Sequence, residues 1–258
     1  MIIICLQRIF CRKNAPYIFS LLVFHSVLGC YSEPSKVNNS KNNEGKVKEM
    51  FTASFEMFNR YGFIKEPIDI LNQVSEIAPE KAYLVKLNLG FMHLKMKKVK
   101  QGIIHLKEAI KLNPDFATAH YHLGNVLLNE NLIEEAIRHF EKAIKIFSRK
   151  LNGRPNPREV DGLPEDMRQK RALSYAQIGV CGDLTNDGKR AIVYTLKASM
   201  EFLQVNDPTG EAKNKALIAK KTLYKMLEKY NFRSREEAVS TFNNEIMAFN
   251  AMSQSRNN

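Results

Sequence analysis

From Val47 onward the apolar residues recur three or four positions apart, the spacing that lines one face of an α-helix. Phe51, Phe55 and Phe58 form one such stripe, and Ile70, Leu71, Val74 and Ile77 form another. Near the other end Ala216, Leu217, Leu223, Leu227 and Tyr230 are read as one face, followed by Ala238, Val239, Phe242, Ile246 and Phe249. Ser234 with Glu237 three residues later is a capping box, so a helix is predicted to open there. The segment Leu151 to Pro164 holds Asn-Gly, Asp-Gly and three prolines, which predicts a loop. With no tryptophan, 12 Gly and 9 Pro, and abundant Lys, Leu, Ile, Glu and Ala, the fold class is all-α.

The helical stripes repeat. Leu89-Gly90 recurs 34 residues later as Leu123-Gly124, Leu106 as Phe140, and Ala109-Ile110 as Ala143-Ile144. Units 83–116 and 117–150 therefore follow each other without a gap, each long enough for two helices and a turn. Past the insertion 151–164 a divergent unit spans about 172–205, with Ile178-Gly179 in its first helix and Ala191 and Ala198 in its second. Thr195 stands there where the other units have Leu106 and Phe140. An upstream pair of helices, 47–79, lacks the Leu-Gly pair. Gly102, Leu106 and Ala109, then Ala136, Phe140 and Ala143, follow the small, bulky, small pattern of the second helix of a tetratricopeptide repeat, and the chain resembles that family. The resemblance implies an α-α superhelix of stacked hairpins over 49–205, closed by capping helices within 206–258. It also implies that the first helices line a concave groove that binds a protein or peptide partner. On this register the groove is expected to present Leu87, Phe91, Leu94, Tyr121, Asn125 and Leu128. Apolar anchors of that kind suit an amphipathic helix or an extended peptide. The lysine, asparagine and arginine positions by which one tetratricopeptide subfamily holds a chaperone's C-terminal carboxylate are not matched. Two alternatives to groove binding stay open at this point: the C-terminal helices could fill the groove, or they could dimerise.

The first thirty residues follow a different pattern. Arg8, Arg12 and Lys13 precede an apolar run from Ala15 to Leu28, and Gly29-Cys30 ends it. Basic residues, a short apolar run and a small residue at its end make a signal peptide over 1–29 the expectation. The run is shorter than the roughly 20 residues of a membrane-spanning helix, and His25 interrupts it. Val27-Leu28-Gly29-Cys30 resembles the lipobox of bacterial lipoproteins, with Gly29 fitting and Val27 and Leu28 departing from the commonest form. The resemblance implies lipidation of Cys30, a membrane contact through the lipid, and a place in the bacterial cell envelope, with inner and outer membrane both open. Simple secretory cleavage near Gly29 is the alternative. Residues 30–48, rich in Asn, Ser, Lys and Glu, are then expected to be a disordered tether.

A net charge of +12 makes the chain basic, and +9 would remain after a cut at Cys30. Such a surface attracts polyanions through forces that salt screens. The lysines are scattered along the helices, except for Lys95, Lys97, Lys98 and Lys100. Cys5 and Cys11 precede the expected cut, so Cys30 and Cys181 cannot make a disulfide framework, and Cys181 reads as a buried thiol. No phosphate loop, metal-binding or hydrolase motif occurs, and no catalytic residue, metal or cofactor is expected. His120 and His122, two apart on a helix, point to different sides. His105 and His139 occupy matching positions of successive repeats. The expected function is a membrane-anchored, non-catalytic interaction scaffold, a design suited to assisting assembly of an envelope complex. A polyanion-binding protein and an accessory subunit of a periplasmic enzyme are the alternatives, and nucleic acid ranks behind a protein partner.

Overall fold

A computed structural model describes residues 40–62, 65–153, 164–207 and 209–242. Among the described residues there are ten α-helices and no strand. They are α1 (Ser40–Tyr61), α2 (Lys65–Ile77), α3 (Ala82–Lys95), α4 (Val99–Leu112), α5 (Ala117–Asn129), α6 (Ile133–Asn152), α7 (Pro164–Leu184), α8 (Gly188–Leu203), α9 (Glu211–Lys229) and α10 (Arg235–Thr241). A short 3₁₀ turn, Pro79–Lys81, joins α2 to α3. Each helix packs against the next along the chain, which makes the architecture a helical-repeat superhelix.

The turns show why the hairpins are alike. Lys97, Asn131, Asn186 and Asn231 each have φ near +60°. At each of these turns the next residue's amide reaches back five positions: Lys98 to the His93 carbonyl, Leu132 to Leu127, Asp187 to Gly182 and Phe232 to Leu227. The left-handed residue itself donates to Leu94, Leu128, Asp183 or Glu228. This pairing satisfies the last carbonyls of the first helix and turns the chain sharply into the second. The fourth turn belongs to α9 and α10, so the C-terminal helices form a hairpin with the same turn as the repeats. Ser234 caps α10 as expected, its hydroxyl accepting from the Glu237 amide at 3.1 Å. The Glu237 carboxylate reaches the Arg233 amide at 2.6 Å, one residue earlier than the usual capping box.

Close helix contact depends on small residues. A Cβ on Gly124 would lie 2.7 Å from the Phe140 ring, and one on Gly90 would lie 3.2 Å from Leu106. In the divergent unit a Cβ on Gly179 would lie 2.5 Å from the Thr195 hydroxyl oxygen and 3.1 Å from the Thr195 backbone nitrogen. The small Thr195 thus lets α7 and α8 approach more closely, and Met226 of α9 packs there, its sulfur 3.3 Å from the Thr195 hydroxyl. Around these contacts one apolar core runs from Val47 to Cys181, and a second joins α8, α9 and α10. Ala216, Leu223 and Leu227 lie inward as read, whereas Leu217 is 51% exposed. Ala212, Ala219 and Met226 take the remaining inward positions.

Two expected boundaries shift. Within the tether of 30–48, residues 40–48 form the first turns of α1 and Val47 is buried, while 30–39 lie outside the described residues. The polar Asn and Lys positions hid this start, since among residues 44–48 only Val47 reaches the core. In the insertion, α6 continues to Asn152 and α7 begins at Pro164, a residue that suits a helix's first turn. Residues 154–163 lie outside the described residues, as do the expected signal segment and Cys30.

Candidate interaction surface

The expected groove row does not form one open apolar strip. Leu87 and Phe91 are core residues, 2% and 3% exposed. Phe91 packs edge-on against the His122 ring with centroids 4.7 Å apart. Leu94 is half-buried inside its own hairpin, where a Cβ on Gly102 would lie 2.6 Å from it. Tyr121, Asn125 and Leu128 are half-buried on α5. Tyr121 lies against His122 and Phe140, and its hydroxyl is hydrogen-bonded by Asn125. Burial raises the Tyr121 phenol above its ordinary value, with Asn125 opposing. A partner on this side would meet three half-buried residues of α5 rather than the six-residue anchor row.

Phe91 is closed off by the His122 ring, and the start of α5 is covered by a different element, the long helix α7. It has 21 residues against 13 in α5, and its extra first turns cover the second repeat. Met167 joins Ala117, Ala143, Ile146 and Phe147 in a small core. Lys170, 6% exposed, donates from Nζ to the Thr118 hydroxyl at 3.3 Å. The helical pattern of 164–171 carries no motif that distinguishes a covering segment from the start of an ordinary helix.

The same helix supplies a buried ion pair. Arg171 donates through Nε to Glu201 Oε1 at 3.1 Å and through Nη2 to the same oxygen. Its Nη1 donates to the Ser148 hydroxyl at 3.1 Å. Arg171 and Glu201 are 2% and 0% exposed, so three helices, α6, α7 and α8, are tied through one guanidinium. Glu201 Oε2 is buried without a hydrogen-bond partner. Sequence reading missed this pair, because the two residues are 30 apart and neither belongs to the repeat pattern.

Histidines pair across the hairpins. His120 and His139 bring their Nδ1 atoms to 3.0 Å, so one donates and the other accepts. Burial first, and then the neighbouring His120, lower His139 to about 4. His93 and His105 stack with centroids 5.0 Å apart, and His105 Nδ1 lies 3.2 Å from Glu108, which also pairs with Lys86 at 2.8 Å. His122 faces Phe91 and away from His120; burial and then the Lys170 charge lower it to about 3. Cys181 is buried, as read, and burial pushes its thiol up to about 12. Among the described residues no group of three or more His, Cys, Asp or Glu could hold a metal ion, and no helix is long and apolar enough to cross a membrane.

A cleft of about 530 Å³ opens elsewhere, between α6 and α8 with α7 beneath. Tyr175 and Tyr194 line it with centroids 6.1 Å apart. Lys145, Arg149 and Lys197 stand around it, with Glu141 as its one carboxylate. Their sequence pattern is that of an ordinary solvated helix face, so nothing in it marked a cleft.

Comparison with known families agrees with the repeat geometry. Residues 92–131 match the family model described as TPR repeat, and residues 117–149 match the one described as tetratricopeptide repeat. No curated protein matches the chain. The matched segment runs from the end of α3 through α4 and α5 into α6, the part with the most regular hairpins. Over these residues the chain is similar to tetratricopeptide repeat proteins, a class that generally serves as non-catalytic protein-interaction scaffolds.

Proposed function

We propose that this chain is a protein-interaction scaffold held at a bacterial envelope membrane by a lipid on Cys30, where it recruits a partner protein and assists assembly of an envelope complex. The observation that carries the scaffold reading is the pair of gap-free 34-residue hairpins, 83–116 and 117–150, whose helices overlap both family matches. Stacked hairpins bury one continuous core and leave long helix faces exposed, a shape suited to holding another chain rather than enclosing a small substrate. The tether rests on Val27 to Cys30 and on the basic and apolar residues that precede it. Several acyl chains on one cysteine hold a protein firmly, since each buried methylene contributes about 0.8 kcal/mol.

Affinity capture of the full chain from nuclease-treated membrane extract, with intact-mass analysis of the captured protein, tests both halves. The proposal expects a protein partner in fixed proportion, an acylated mass for the natural chain, and loss of acyl mass and membrane partition in Cys30→Ser. An unchanged mass and partition in Cys30→Ser contradicts the tether. Loss of every partner on nuclease treatment contradicts the scaffold and supports polyanion binding instead.

A further inference from the structure

The cleft between α6 and α8, with Tyr175 of α7 in its floor, shares none of its lining with the row of Leu87, Phe91, Leu94, Tyr121, Asn125 and Leu128. Its floor is aromatic and aliphatic: Tyr175 is 9% exposed, Tyr194 is half-buried, and Ile144 lies beside them. Its rim is cationic. Lys145 and Arg149 are exposed one turn apart on α6, and Lys197 stands across from them on α8. Lys197 Nζ sits 5.0 Å above the Tyr194 ring, which holds the cation over the cleft. Three cations against the single carboxylate Glu141 leave an excess of positive charge on the walls. Arg149 also pairs with Asp115 at 3.0 Å, but both side chains are more than half exposed, so that pair is readily exchanged for another carboxylate.

The lining also holds hydroxyl groups. Ser148 lines the cleft, and its oxygen accepts from the buried Arg171 at 3.1 Å. An oxygen occupied in that way keeps its own proton for donation to a second acceptor. Tyr194 supplies a second hydroxyl. Burial, and then the Glu141 carboxylate, raise its phenol above the ordinary value, so it remains a donor at neutral pH. Apolar rings below, cations at the rim and hydroxyl donors between them complement a chain segment that carries carboxylates next to an apolar side chain. The volume falls within the usual range for binding pockets and admits a few residues rather than a folded surface.

We propose that this cleft docks an acidic peptide segment of a partner protein, with an aromatic or large aliphatic side chain on Tyr175 and Tyr194 and carboxylates at Lys145, Arg149 and Lys197. The proposal rests on the scaffold reading and deepens it, placing the contact on α6, α8 and Tyr175 of α7 rather than in the row containing Leu87 and Phe91. An acidic peptide is favoured over nucleic acid because the cations flank an apolar floor instead of forming a continuous track along the surface.

Fluorescence anisotropy of the full chain against a fluorescein-labelled peptide of Asp and Glu around one Phe tests it. The comparison probes are the same peptide with Ala for Phe and a single-stranded oligothymidylate of equal charge. Binding should weaken about tenfold or more in Lys145→Glu and in Lys197→Glu, since each places like charge against the peptide. Lys142→Glu, on the same helix but outside the cleft, should leave affinity within about twofold, and Tyr194→Phe should weaken it severalfold through the lost donor. Unchanged circular dichroism and melting in the charge variants separate loss of binding from loss of fold. The site is overturned by no binding of the Phe peptide, by equal binding of the Ala peptide, by equal weakening in Lys142→Glu, or by oligothymidylate binding as tightly. A partner captured equally by natural chain and by the Lys145→Glu/Lys197→Glu double variant overturns this cleft while leaving the scaffold reading intact.

Discussion

Alanine in place of Gly182 would put a methyl group 2.5 Å from the backbone nitrogen of Ala191 and 3.0 Å from the carbonyl carbon of Arg190. These are backbone atoms at the start of α8, fixed by the Asp187 cap whose carboxylate accepts from the Arg190 amide at 3.0 Å, so no side-chain rotation relieves the overlap. Two effects compete. Alanine inside a helix is favoured over glycine by about 1 kcal/mol. Forcing a group into a packed contact costs about 1–3 kcal/mol, with backbone overlap at the upper end. The balance for Gly182→Ala is a loss of about 2 kcal/mol, or roughly 4–8 °C in melting temperature for a chain of this size. At Gly90 the added methyl meets Leu106 and the Gly102 carbonyl at 3.2–3.3 Å, where small shifts suffice, and the two effects nearly cancel. At Gly45, exposed in α1 with nothing within 4 Å, only the helix preference acts, and Gly45→Ala should gain up to about 1 kcal/mol. Urea unfolding followed by far-UV circular dichroism should rank the variants Gly45→Ala, Gly90→Ala, Gly182→Ala from most to least stable. A Gly182→Ala protein as stable as Gly45→Ala would refute the packing argument.

Other consequences are equally direct. Lys97 occupies the left-handed turn position that asparagine fills at 131, 186 and 231, so Lys97→Gly should raise stability by about 1 kcal/mol in the same unfolding assay; an unchanged or lower midpoint would contradict the turn geometry. His122 is held neutral with a pKa near 3 against an ordinary 6.5, so the unfolded chain takes up a proton as pH falls below 6.5 while the folded chain does not. Its contribution is therefore complete above pH 6.5 and declines towards pH 3, by roughly 2 kcal/mol at pH 5. The drop in urea midpoint between pH 7 and pH 5 should be smaller in His122→Phe, and an equal drop would remove His122 from the account. Arg171→Met leaves Glu201 charged and buried, and should destabilise by about 3–5 kcal/mol, whereas Arg171→Met/Glu201→Leu should recover most of the loss. A double variant no more stable than Arg171→Met would show that the guanidinium matters for packing rather than for charge.

The hairpin register was legible because close helix contacts demand small residues at fixed positions, and Gly90, Gly124 and Gly179 announce them. Helix type and the α10 cap were legible for similar local reasons: periodic apolar residues, then Ser234 before Glu237. The concave row was not. Its residues were placed by family register alone, and whether Leu87 or Phe91 meets solvent depends on what packs above them. The first turns of α7, which bring Met167 and Lys170 over the second repeat, follow no repeat rule. Nor did the apolar stripe of α9 reveal that its turn at Asn231 copies those at Asn131 and Asn186, since the match lies in backbone conformation and in a single Asn. The charged pair Arg171–Glu201 and the histidine pairs join residues 12 to 30 apart, separations at which a sequence carries no contact signal.

The matching helix pairing inside the two regular hairpins, on which the repeat reading depends, is most directly tested by NMR cross-relaxation on the natural chain, observing the α-protons of Gly90 and Gly124 together. The account predicts contacts from Gly124 to the Phe140 ring and, at the matching place one repeat earlier, from Gly90 to the Leu106 methyls. Contacts from either glycine to a different helix, or none from Gly124 to Phe140, would contradict it.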